Sequence, residues 1–128
     1  MSYREREPIS ATISELKPQM KNITVTFKVM AVAEEHEITS QRDGTDSRVA
    51  DAIVGDETGI VVCPLWNDDI EKIKTGESYT LRNGYTGLFQ GNLRLNIGRY
   101  GEITNAEKPV VDINENNDMS AEEHQDER

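Results

Sequence analysis

The chain has 128 residues, a length that suits one domain with a tail, and its single cysteine, Cys63, excludes an internal disulfide. Its 14 basic residues face 24 acidic ones, for a net charge of −10. One thiol and two distant histidines, His36 and His124, exclude a zinc site by spacing, and no stretch approaches the roughly 20 apolar residues of a spanning helix.

Residues 1–10 are polar and charged, and read as a flexible terminus rather than a signal peptide. Ile13–Pro18 reads as one helical turn, because Pro18 stops anything longer. From Asn22 to Ala33 the residues alternate. Ile23, Val25, Phe27 and Val29 share one face, and Thr24, Thr26, Lys28 and Met30 the other, which predicts a half-buried strand. The polar stretch Glu34–Asp46, with Asp43-Gly44 as its turn signal, reads as a loop holding His36. A second strand is predicted over Ser47–Val54. Gly55-Asp56-Glu57-Thr58-Gly59 has the composition of a tight hairpin, and lacks the lysine and following helix of a phosphate loop. The third strand is Ile60–Trp66. Val61, Cys63 and Leu65 are its inward set, which leaves Ile60, Val62, Pro64 and Trp66 outward. Cys63 reads as a small buried apolar residue.

Asn67-Asp68-Asp69 is a helix N-cap cluster, and Ile70 and Ile73 give a short apolar stripe that Lys74-Thr75-Gly76 ends. A fourth strand is predicted from about Ser78 to Tyr85. Gly84, Gly87 and Gly91 punctuate the passage to a fifth, Asn92–Gly98. There Leu93, Leu95 and Ile97 point inward and Asn92, Arg94 and Asn96 outward. After Thr104 the apolar pattern fades, with only Val110, Val111 and Ile113 before the end. The segment Asp112–Arg128 holds seven acidic residues and one basic, so it carries −6 of the charge and leaves −4 on the rest. Five short strands, with one brief helix between the third and fourth, predict an all-β fold. It is a five-stranded Greek-key OB-fold barrel over 11–108 with a disordered acidic tail over 109–128.

No phosphate loop, nucleophile elbow or metal signature is present, so the residues suggest neither an enzyme nor a cofactor. The aromatics carry the information. The chain has one Trp, two Phe and four Tyr, and three of these seven fall late, near the ends of the third to fifth strands. Trp66 ends the third strand. Tyr85 and Phe89 flank the glycine-rich turn into the fifth. Exposed rings suit nucleobases, because every base has a π-face and stacking contributes about 1–3 kcal/mol per base. Pattern alone equally allows Trp66 and Phe89 to fill the barrel core. Around the rings stand the outward residues Lys28, Arg48, Arg82, Asn92, Arg94, Asn96 and Arg99, which suit phosphate and polar contacts or an ordinary solvated face.

The runs Ala52–Gly59, Leu65-Trp66 and Gly84-Tyr-Thr-Gly-Leu-Phe-Gln-Gly-Asn-Leu-Arg-Leu-Asn-Ile-Gly98 resemble the single-OB-fold single-stranded DNA-binding proteins of archaea. They are similar also to the small OB subunit of the eukaryotic ssDNA-sensor (SOSS) complex. The resemblance covers about Ile13 to Ile103. It implies single-stranded DNA binding without strict sequence preference, in replication, recombination and repair. It implies base stacking on Trp66, Tyr85 and Phe89, with backbone and polar contacts from Lys28, Asn92, Arg94 and Asn96. It further implies an acidic tail that recruits repair or replication proteins, and a cytoplasmic, nucleoid-associated protein with no membrane contact. One departure is the apolar outward trio Ile60, Val62 and Pro64, where relatives carry polar or basic residues. It suggests weaker electrostatics there, or a protein contact. Two alternatives keep the barrel: an RNA-binding module, since stacking does not read the sugar, and a protein-interaction module.

Overall fold

The alternation of the first long run seals one face of a strand: Ile23, Val25, Phe27 and Val29 are each at most 1% exposed, in a computed structural model that describes residues 8–121. That strand is β2, Ile23–Val32, in a single sheet. The others are β1 (Ile9–Ser10), β3 (His36–Thr39), β4 (Asp46–Asp56), β5 (Gly59–Trp66), β6 (Ser78–Phe89), β7 (Asn92–Asn96) and β8 (Glu102–Asn105). A 3-10 turn, Ile13–Glu15, follows β1, and α1, Asp68–Lys72, links β5 to β6.

The ring runs β2-β4-β5-β7-β6 and returns through a β2–β6 ladder. Its weak seam lies between β5 and β7, which run parallel and share one partner pair, Val62↔Arg94. The result is an OB fold that stays partly open rather than a clean five-stranded barrel. Inside it, Phe27, Leu65, Leu81, Leu93 and Leu95 are among the side chains fully removed from water. Cys63 sits with them, and burial pushes its thiol up to about 12, so it packs rather than reacts.

Asp56 organises the β4–β5 hairpin. Its Oδ1 accepts from Thr58 N at 2.8 Å, Thr58 Oγ1 at 2.6 Å and Gly59 N at 3.2 Å. Its Oδ2 accepts from Ile13 N at 3.0 Å, which fastens the 3-10 turn to the same corner. A carboxylate only 8% exposed is thereby saturated with donors, the condition for burying it.

Several expectations change. The polar stretch Glu34–Asp46 is not all loop, because His36–Thr39 forms β3, paired to β4 from His36↔Val49 to Thr39↔Asp46. The fourth strand does not stop at Tyr85. It runs on to Phe89, so Gly84 and Gly87 lie within β6, and the turn is Gln90-Gly91. Both turn residues have positive φ, 55° and 87°, as a two-residue hairpin of primed type requires. A short strand beyond the five predicted, Glu102–Asn105, pairs with β6. Asn67 occupies the N-cap of α1 but caps nothing with its side chain, whose Oδ1 instead accepts from Arg48 N at 3.0 Å. Within the N-terminal segment, Ile9–Ser10 pairs in parallel with β2, and residues 1–7 lie outside the described ones.

The C-terminal segment differs most. Residues 122–128 lie outside the described ones, while 112–121 run along the free edge of β5. Asn114 N donates to Asp56 O at 3.0 Å. Ile60 N donates to Asn117 O, and Met119 N to Ile60 O, each at 2.8 Å. Ser120 accepts from Val62 N at 2.9 Å and donates its hydroxyl to Leu93 O, so it spans the weak seam. The apolar outward residues Ile60 and Val62 are thus half-buried under the chain's own C-terminal segment, and Pro64 is buried. The expectation of a foreign contact there is answered by an internal one.

Candidate nucleic-acid interface

Parity fixes where the three rings point. Leu65 is 1% exposed and inward, so Trp66 must face out, and it is 44% exposed. On β6, Gly84 and Thr86 are buried, so Tyr85 faces out at 43%, and Phe89 at the strand's end reaches 53%. Core filling is therefore excluded for all three. In the ladders Trp66 stands opposite Val49, Tyr85 opposite Asn96 and Phe89 opposite Asn92.

The rings bound two joined clefts. The first, about 380 Å³, has Trp66, Phe89, Leu88 and Ile38 as walls and Pro64 and Arg94 beneath, with His36 and Asp51 at its rim. The second, about 450 Å³, lies between Trp66 and Tyr85, with Arg99 and Asp69 beside them. Trp66 and Asn96 line both, so they form the partition. Flat apolar walls with polar groups at the floor can accept planar, hydrogen-bonding ligands in series.

The outward cations are less available than their sequence positions suggest. Arg94 pairs with Asp51 through two contacts of 3.2 and 3.3 Å, and its guanidinium carbon lies 4.5 Å from the Phe89 ring centroid. It supports the ring more than it offers charge. Arg48 is held by Glu71 at 2.7 Å and Glu35 at 3.5 Å; its guanidinium is raised above its usual range and Glu71 lowered. Arg82 donates to Thr104 Oγ1 at 2.9 Å on the β6–β8 side and lines neither cleft. Lys28 pairs in register with Gly55 and Ser78, at the far end of β6 from the rings. Asn92 is spent on the C-terminal segment, donating to Ser120 O at 2.8 Å. Of the seven predicted polar residues, Arg94, Asn96 and Arg99 line the clefts.

Sequence reasoning missed several lining residues, among them Ile38, Leu88, His36, Asp51 and Asp69. Ile38 and Leu88 are large apolar side chains, 43% and 44% exposed, and they widen the apolar wall. Ile38 is the one apolar residue between Glu34 and Asp46, a signal that was legible. His36 and Asp51 were not, because their relation to the rings depends on the β3–β4 pairing. Burial raises the Asp69 carboxyl above its ordinary 3.8. Among the described residues no cluster of His, Cys, Asp or Glu is placed to hold a metal ion, and no helix is long and apolar enough to cross a membrane.

A partly open OB barrel with an aromatic-walled groove over β5, β6 and β7 is the class these features define. The family described as single-stranded DNA binding protein Ssb-like, OB fold, matches residues 16–105, and the chain belongs to it. The single-stranded DNA binding protein Ssb of Saccharolobus solfataricus is 35% identical over 94 residues, 73% of this chain and 62% of that protein. A hypothetical protein of Arabidopsis thaliana, known from its solution structure, superposes with a TM-score of 0.77 at 26% identity, covering all of this chain and 94% of its own. The second OB-fold domain of replication protein A from Methanococcus maripaludis gives 0.62 at 25% identity, over 80% of this chain and all of that one.

Proposed function

We propose that this protein binds single-stranded DNA with little sequence preference, laying bases against Phe89, Trp66 and Tyr85 while Arg99 and Asn96 meet the backbone and base edges. The observation that carries this is the trio of exposed rings bounding two joined clefts. Each stacked base contributes about 1–3 kcal/mol whatever its identity. Membership of the Ssb-like family and the likeness to Ssb support the ligand class. Because Arg48 and Arg94 are neutralised by carboxylates, stacking carries more of the affinity than charge does. The role we assign is protection of exposed strands in replication, recombination and repair. The acidic C-terminal segment stays off the strand and recruits proteins of those processes.

Titrating the intrinsic fluorescence of Trp66 with oligo-dT at low and high salt tests the reading. Stacking quenches the signal; an unchanged signal at low salt overturns the site. Competition between DNA and RNA oligomers of equal sequence assigns the sugar preference, and tighter RNA binding would replace DNA by RNA in this assignment.

A further inference from the structure

A third cleft continues the groove beyond Tyr85. It holds about 330 Å³ and lies between Tyr85 and Tyr100, with Lys21 and Arg99 at its sides. It shares Tyr85, Gly98 and Arg99 with the second cleft, so the three are contiguous. Four rings therefore bound three clefts in sequence: Phe89, Trp66, Tyr85 and Tyr100.

Tyr100 is 75% exposed, against 43–53% for the other three rings, and nothing in the core accounts for its position. Its backbone is nevertheless fixed. Gly98 takes φ +78°, Gly101 N donates to Gly98 O at 3.4 Å, and Asn83 Nδ2 donates to Tyr100 O at 3.3 Å. A Cβ on Gly101 would meet Ile97 O at 1.9 Å, so the turn that lifts Tyr100 depends on glycine there.

Charge sets this cleft apart. The first contains the neutralised Arg94–Asp51 pair, and the second contains Asp69 opposite Arg99. The third is lined by Lys21 and Arg99 and by no carboxylate. Two cations beside an exposed ring, with no carboxylate among the described residues that line this cleft, suit one phosphate and one base of a nucleic-acid strand.

We infer that this cleft is a third nucleotide subsite, in which Tyr100 stacks a base and Lys21, with Arg99, holds the adjoining phosphate. The inference rests on the proposed binding of single-stranded DNA and extends its footprint past Tyr85. Both new residues are exposed, so changing them leaves the fold intact.

The test compares oligo-dT of about 4 and about 12 nucleotides, spanning the usual range per OB fold. Tyr100→Ala should weaken the longer oligomer by about 5- to 150-fold, the equivalent of one stacked base. Binding of the shorter oligomer should be unchanged. Lys21→Gln should lower the salt slope of the longer oligomer by about 0.7, the value for one phosphate on a single strand. Circular dichroism melting confirms that both variants fold. Equal losses at both lengths, or no loss at either, would overturn the subsite while Trp66 quenching in the wild type keeps the underlying site. A wild-type chain that binds neither oligomer would overturn both.

Discussion

Arg94 stands over Phe89 with its guanidinium carbon 4.5 Å from the ring centroid, while both of its terminal nitrogens face Asp51. The contact makes the cation a brace for the ring. Arg94→Met should weaken single-stranded DNA binding on two counts, by freeing Phe89 and by leaving Asp51 as an uncompensated carboxylate in the cleft. Asp51→Asn should do the opposite, tightening binding and steepening the salt slope by about 0.7 as one cation is released. Fluorescence titrations across a salt series read both numbers.

Gly98 lies at φ +78° against the ring of Tyr85, whose Cε1 would be 2.7 Å from an added Cβ. Gly76 has φ +93° with open space around it. Gly98→Ala and Gly76→Ala should each lose about 1–2 kcal/mol of stability from left-handed backbone alone. Only Gly98→Ala should also lose DNA affinity, because only there does the methyl displace a proposed stacking ring. Chemical denaturation and oligo-dT titration of the pair separate the two effects.

The C-terminal segment divides at Ala121. Removing residues from Glu122 onward should leave stability within about 0.5 kcal/mol, since that cut spares every hydrogen bond described along β5. Cutting from Asp112 should lower the melting temperature by several degrees, because the bonds to Asp56, Ile60 and Val62 go with it. Ser120→Ala alone leaves Val62 N and Leu93 O without their side-chain partner and should cost about 1–3 kcal/mol.

Asp69 carries a pH signature. Burial raises its carboxyl above 3.8, so the folded chain holds that proton more tightly than the unfolded one. Its contribution to stability is therefore complete at and below the ordinary value and falls away as pH rises through the raised one. Because Asp69 lines the Trp66–Tyr85 cleft, its protonation also removes a negative charge facing the strand. Acidification through this range should tighten DNA binding, and Asp69→Asn should tighten it at neutral pH while flattening the pH profile. An affinity-against-pH curve for both proteins checks this.

How much of this the sequence disclosed follows from where each signal resides. The alternation of β2, β5 and β7 is local, so their inward sets could be read directly, whereas core packing remained an equal alternative for Trp66 until its exposure was seen. β3 escaped because all four of its residues are exposed and therefore show no two-residue burial period. The extent of β6 was hidden by glycines that imitate a turn. Gly84 is required instead by Leu81, whose Cδ2 would sit 2.6 Å from a Cβ there. The engagement of Arg94 depends on Asp51, 43 residues away, and of Asn92 on Ser120, 28 residues away, distances no local pattern spans. The C-terminal segment misled because its charges dominate its composition, while its anchors act through backbone groups and the small side chains of Asn117 and Ser120.

The cover over Ile60–Val62 also bears on how copies of this protein behave together. An uncovered strand edge is a template on which another chain can pair. Here Asn117, Met119 and Ser120 occupy that edge, and all three lie beyond the family-matched span, which ends at residue 105. A fragment trimmed to that span should expose the rungs of β5 as a pairing edge, and light scattering that shows it as monomeric as the full chain would speak against this role of the cover.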